Sequence, residues 1–194
     1  MDDSQVSEVG IAWRQIERSL SRHHAAYHAR LNPPADPALL RQAEHETGRP
    51  LPAAPAAWWS TVDGVVPDRG GGWFRLFPYS CDPRPLGEAL ARRRMHLEAL
   101  YATASPGTGD LLEQRLGACA LDPAGTGYPA EAAPLWLPQW LPVAGDGMGG
   151  GLFADLRAGP RYGCLIRYTT TGHDPDPAWP GIAGLLTEVA RRME

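Results

Sequence analysis

The 194-residue sequence predicts an α+β fold: a single domain with a central, mostly antiparallel sheet flanked by helices, a helical N-terminal third and a closing C-terminal helix. Three observations predict it. Apolar residues recur at helical spacing through the first third and again at the C-terminus. Alternating apolar segments separated by turn glycines occupy the later middle. The two patterns are segregated rather than interleaved, which favours α+β over alternating α/β. With 43% hydrophobic residues the chain can build one sizeable core. No linker separates two cores, so the domain is expected to run 1–194, with an elaborated insert at 78–134.

Each element has its own signal. Ile11, Trp13, Ile16, Leu20, Tyr27 and Leu31 lie on one side of an amphipathic helix over 11–31. The prolines at 33 and 34 stop it, because proline lacks a backbone donor and clashes with the preceding turn. Asp36 can cap a second helix, Pro37 suits its first position, and Gly48 suits a left-handed end. "LPAAPAAWWSTVDG" predicts a short third helix finished at Gly64, with one of Trp58 and Trp59 in the core and the other exposed. "GGGWFRLFPY" predicts a strand. "PLGEALARRRMHLEAL" is helical, and Asp110 with Glu113 can open a short helix ending at Gly117. Ala118 to Pro134 is expected to be an irregular loop. "GLFADLR" and "YGCLIRYTT" read as a hairpin turning at "AGPR". Ile182, Leu185, Leu186, Val189 and Met193 mark the last helix.

Composition narrows the function classes. No apolar run approaches the roughly 20 residues a membrane span requires. "MDDSQVSEVGIAW" begins with acids and lacks the basic start of a secretory signal. Cys81, Cys119 and Cys164 are odd in number and far apart, which predicts buried free thiols in a reducing cytoplasm. A net charge of −4 gives no reason to expect direct nucleic-acid binding. All 18 basic residues are arginine, as codon bias in a GC-rich, bacterial genome would produce.

Gly145, Gly147 and Gly150 in "LPVAGDGMGGGLFADL" match G-x-G-x-x-G. A dinucleotide cradle needs a helix directly after those glycines, so that its amide end faces the pyrophosphate. The residues after Gly150 alternate like a strand instead, and the lysine of the other phosphate loop is missing from this chain. The glycines are therefore expected to make a tight connection or bulge between strands, with Asp146 and Asp155 capping the turn or facing a partner.

Other candidate chemistry has bland readings. His24 and His28 have the spacing of a helical metal pair, with His23 beside them, but no third ligand lies near in sequence, so a solvated face is expected. His45 and the loop residue His173 read as polar surface. Arg92, Arg93 and Arg94 read as helix-surface pairing, with Glu88 four residues before Arg92. G-x-S-x-G is absent. No enzyme, cofactor or metal is expected. Between Arg115 and Arg157 no basic residue occurs, whereas Asp122, Glu131, Asp146 and Asp155 are acidic and Trp136 and Trp140 lie among them. Acids with aromatic anchors suit a basic protein partner; equally, both tryptophans can belong to the core, with the acids merely solvated. The residues expected to face it are Asp63, Asp68, Trp73, Glu131, Trp136, Asp146 and Asp155.

The strongest stretch, "WLPQWLPVAGDGMGGGLFADL", resembles the SUKH superfamily in its W-L-P, its Asp-Gly turn and its later Asp-Leu. "WRQIE" at 13–17, the segment from Asn32 with Glu44, Gly48, Leu51 and Pro52, the Asp-Gly at 63–64, and Gly159 with Gly163 before the last expected strand add to the resemblance. It covers most of the chain. It departs at Gly150, where the family often carries an acid, and over 78–134, which has no family signature. The resemblance implies a non-enzymatic immunity protein that binds and neutralises a polymorphic, nuclease-type toxin by occluding its cleft. It also allows a regulatory interaction module like the family's yeast cell-wall assembly regulator.

Overall fold

The structure, a computed structural model, describes residues 2–67, 74–103, 109–126 and 136–194. The N-terminal helix α1 spans Asp2–His23, beginning well before the predicted start. Its first turns are polar and exposed, so no apolar stripe announced them. At His24 the backbone leaves helical geometry (φ −137°, ψ 49°), and a single turn, α2 (Ala25–His28), comes next. Helix α3, Pro37–Thr47, has the predicted ends. Asp36 accepts the Ala38 N–H at 2.7 Å, and Gly48 closes the helix at φ 66°, the left-handed region where a Cβ is costly. Helix α4 is Ala53–Trp59, shorter than predicted, and both Trp58 and Trp59 are fully buried rather than one.

The predicted strand over 70–79 is corrected. Residues 70–73 lie outside the described residues, and 74–79 form a bend and turn. Tyr79 and Ser80 take φ of 60° and 56°, which extended backbone cannot accommodate. The edge strand is instead β1, Asp82–Pro83. Helix α5 (Leu86–Thr103) matches its prediction. Helix α6 (Gly109–Leu121) runs on through Gly117, where an added side chain would meet open space, and so takes up the start of the expected loop. The strands β2 (Trp140–Gly145), β3 (Gly151–Asp155), β4 (Cys164–Thr169) and β5 (Gly172–His173) come after it, and α7 (Ile182–Arg192) closes the chain.

The sheet is a five-stranded antiparallel meander in the order β1-β2-β3-β4-β5, so this is an α+β domain with a helical N-terminal third and a closing helix. Side chains alternate across it. Leu141, Val143, Leu152, Ala154 and Leu165 join the main core, built with α1, α4 and α7. Trp140, Phe153, Ile166 and Tyr168 point to the other side, where Trp136, Leu137, Leu100 and Leu116 complete a second cluster. Every residue of β2 and β3 is buried, as sheet covered on both faces requires. The register slips between Pro142 and Ala144, a bulge at the residue that cannot donate to the ladder.

Polar side chains join the layers. Ser19 Oγ donates to the Met193 carbonyl at 2.9 Å, satisfying an acceptor past the end of α7. Arg93, 5% exposed, donates to the Pro138 carbonyl from Nε (2.9 Å) and Nη2 (2.7 Å), and Nη2 also reaches the Glu46 carbonyl at 2.7 Å. Helix α5 is thereby fixed to the end of α3 and to the approach of β2. Leu86, Ala89 and Leu90 are fully buried, so this part of 78–134 belongs to the core.

Candidate binding face at the glycine hairpin

Strands β2 and β3 are joined by Asp146–Gly150, and the glycines turn the chain without holding a ligand cradle. The element directly after them is β3, not the helix that a dinucleotide cradle requires. Asp146 builds the turn: Oδ1 accepts the Met148 N–H at 2.7 Å and the Gly150 N–H at 3.0 Å. Gly147 (φ 78°) and Gly149 (φ 108°) supply the left-handed conformations on either side of Met148. The result is a fixed tip presenting Met148, 86% exposed. The backbone of the tip is already ordered, so a partner that covers Met148 has only the side chain to immobilise.

Two cavities flank this hairpin. One, about 300 Å³, is lined by Arg75, Asp82, Arg84, Glu88, Arg92 and Asp146 among others. The second, about 270 Å³, is lined by Arg92, Met95, His96, Trp136, Tyr168 and His173 among others. Arg92 borders both. The Arg84 guanidinium lies against Gly145, where an added Cβ would stand 2.0 Å from Nη2, so glycine is needed for that contact. His96 stacks on Trp136 at 4.2 Å. Burial, and then the charges of Arg92 and Arg84, push its imidazole down to about 4, so it is neutral at pH 7. Burial raises the Tyr168 phenol, against the opposing charges of Arg84 and Arg92.

The seven expected partner-facing residues fare differently. Asp68, Trp73 and Glu131 lie outside the described residues. Asp146 stands half-buried at the hairpin, with one carboxylate oxygen committed to the turn. Asp63, also half-buried, accepts the Leu86 N–H at 2.6 Å and so caps α5 from 23 residues away. Trp136 is 2% exposed, packed among Trp140, Phe153 and Tyr168. Asp155 is fully buried, bound by Arg157 Nη2 at 2.7 Å and by the Gly125 N–H at 2.9 Å. The acidic and aromatic face expected over 115–157 thus loses Trp136, Trp140 and Asp155 to the interior. The long apolar sheet face needs those rings, and a carboxylate that binds an arginine and backbone donors is more stable away from water than alone. Met148 was not singled out from the sequence, although a methionine between turn glycines was the available signal.

His24 stacks on Phe74 at 3.8 Å. Among the described residues, no group of three or more His, Cys, Asp or Glu is arranged to hold a metal. Of the three arginines on α5, Arg93 is buried, Arg94 pairs with Glu46 at 3.4 Å, and Arg92 faces the cavities. Cys81 and Cys164 are buried as expected, whereas Cys119 is only partly buried; desolvation raises all three thiols, Cys81 and Cys164 to about 12, which keeps them protonated. Among the described residues, no helix is long and apolar enough to cross a membrane. No protein-family model matches the chain, and no curated protein matches it significantly.

Proposed function

We propose that the chain is a non-enzymatic, cytoplasmic protein-binding module of the immunity type, which neutralises a polymorphic nuclease-type toxin by covering its active cleft. The observation that carries the reading is the hairpin tip: Met148, 86% exposed, on a turn locked by Asp146. Preformed loops that present an apolar anchor bind with little ordering cost. The net charge of −4 favours encounter with a basic partner, as enzymes that handle phosphate backbones commonly are. The order of motifs shared with the SUKH superfamily supports the same assignment. With Trp136 and Asp155 inside, the contact surface is centred on the tip and its rim, not on the aromatic cluster.

The test is co-expression with the toxin domain encoded beside this chain's gene. The reading predicts rescue of growth and a co-purifying complex. Absence of both contradicts it.

A further inference from the structure

Beneath the hairpin, polar atoms converge that the fold leaves unused. Arg84 Nε, His96 Nε2 and Trp136 Nε1 are each buried and have no hydrogen-bond partner among the described residues, and the buried Tyr168 Oη has only the Arg84 guanidinium beside it. Native proteins rarely leave such groups unpaired, because each forfeits its hydration without replacement. Three of the four can donate: the guanidinium and indole N–H groups have no acceptor capacity at all, and the phenol donates readily. His96 donates as well in its Nε2–H tautomer. Tyr168 and His96 line the second cavity together with Trp136, Arg84 lines the first, and Arg92 borders both.

We propose that the two cavities beside Arg92 form one binding site for a small carboxylate with an apolar body. The set of donors calls for a group that only accepts, and two guanidinium groups make it an anion. Glu88 and Asp146, which also line the first cavity, oppose a second negative charge, whereas Asp82 there is paired with Arg75 at 3.4 Å; the two acids favour a monovalent carboxylate over a phosphate dianion. In the second cavity, Met95 and the rings of Trp136 and Tyr168 offer an apolar wall for the body of the ligand. Arg92 is the moving part. Its described hydrogen bond is a 3.6 Å contact from Nη1 to the Met95 sulfur, which costs little to give up. Its rotation joins the cavities and exposes the donors behind it. The site does not depend on the protein-binding reading.

The experiment titrates benzoate and, separately, inorganic phosphate into the full chain, following tryptophan fluorescence and amide chemical shifts. Saturable benzoate binding is expected, with shifts at Tyr168, Met95 and the 145–150 loop. Tyr168→Phe and Arg92→Ala should each weaken it about tenfold, the scale of one charge-assisted hydrogen bond. Arg161→Ala, at a cavity near Trp179, should leave it unchanged. Tyr168→Phe removes one oxygen and Arg92 is partly exposed, so each variant should fold, with thermal unfolding as the check, and either alone decides. No saturable benzoate binding, binding by either folded variant as tight as by the parent chain, or phosphate binding as tight as benzoate would each overturn the proposal.

Discussion

Arg157 and Asp155 form an ion pair in which neither side chain is exposed, with Arg157 Nε 3.1 Å from both carboxylate oxygens and Nη2 2.7 Å from one. The pair also holds backbone. Arg157 Nη1 donates to the Cys119 carbonyl at 3.1 Å and Nη2 to the Thr126 carbonyl at 2.8 Å, while Asp155 takes the Gly125 N–H. It fastens the end of α6 and the turn after it to the exit of β3.

Removing one partner strands a buried charge. Arg157→Ala should lower unfolding stability by about 3–5 kcal/mol, the range for broken buried pairs. Urea denaturation measures it, and a loss under about 1 kcal/mol would show that the site hydrates freely.

Two glycines of the hairpin should respond unequally to alanine. At Gly147 the φ of 78° is the only obstacle, with no atom near an added Cβ, so the cost should be about 1–2 kcal/mol. At Gly151 the Cβ would stand 2.1 Å from the Ala144 carbonyl oxygen, a backbone atom of the paired strand, so the sheet itself must shift. Gly151→Ala should therefore cost more, about 3 kcal/mol. Thermal unfolding of the two variants orders them, and the reverse order would contradict the register of β2 on β3.

Asp63 should act on stability and not on binding. Its carboxylate caps α5, and burial raises its pKa against the opposing effect of the Leu86 hydrogen bond. Asp63→Ala should cost about 1 kcal/mol, the usual loss of a cap. Affinity for the partner should be unchanged, as calorimetry would show.

His96 should give the fold a measurable pH dependence. In the folded chain its pKa lies near 4, below the ordinary 6.5, because burial and the arginines at 92 and 84 oppose its charge. Between those values the unfolded chain binds the extra proton, so this contribution is full above about 6.5 and is lost as the pH falls toward 4. In His96→Phe the melting temperature should fall less over that window than in the parent. Parallel curves would mean that His96 is solvated.

Much of the architecture was legible because its signals are local. Asp36, Pro37 and Gly48 mark the two ends of α3 within a short stretch, and the largely apolar runs of β3 and β4 between turn glycines mark strands of a sheet with two covered faces. The spacing from Ile182 to Val189 describes α7. What escaped was set by distant contacts. The aromatic run near 74–79 has strand composition, yet Leu76 and Phe77 bury themselves in a turn that then swings the chain into β1 at Asp82. The break at His24 carries no proline or glycine to announce it.

The candidate site was legible in the same uneven way. The glycine turn and the capping role of Asp146 could be read from the loop itself. Whether an acid or a tryptophan reaches the surface could not, because that depends on partners such as Arg157 with Asp155, or His96 with Trp136, which only the folded chain brings together. Charge counted along a segment therefore overstated the acidic face.

The central claim is that the hairpin tip is where a protein partner docks. Calorimetric titration of the neighbouring toxin domain with the parent chain and with Met148→Asp tests it most directly, since that exposed position tolerates the change without harming the fold. The account predicts a loss of affinity of about tenfold or more, as for a central contact residue. Equal affinity for both chains would contradict it.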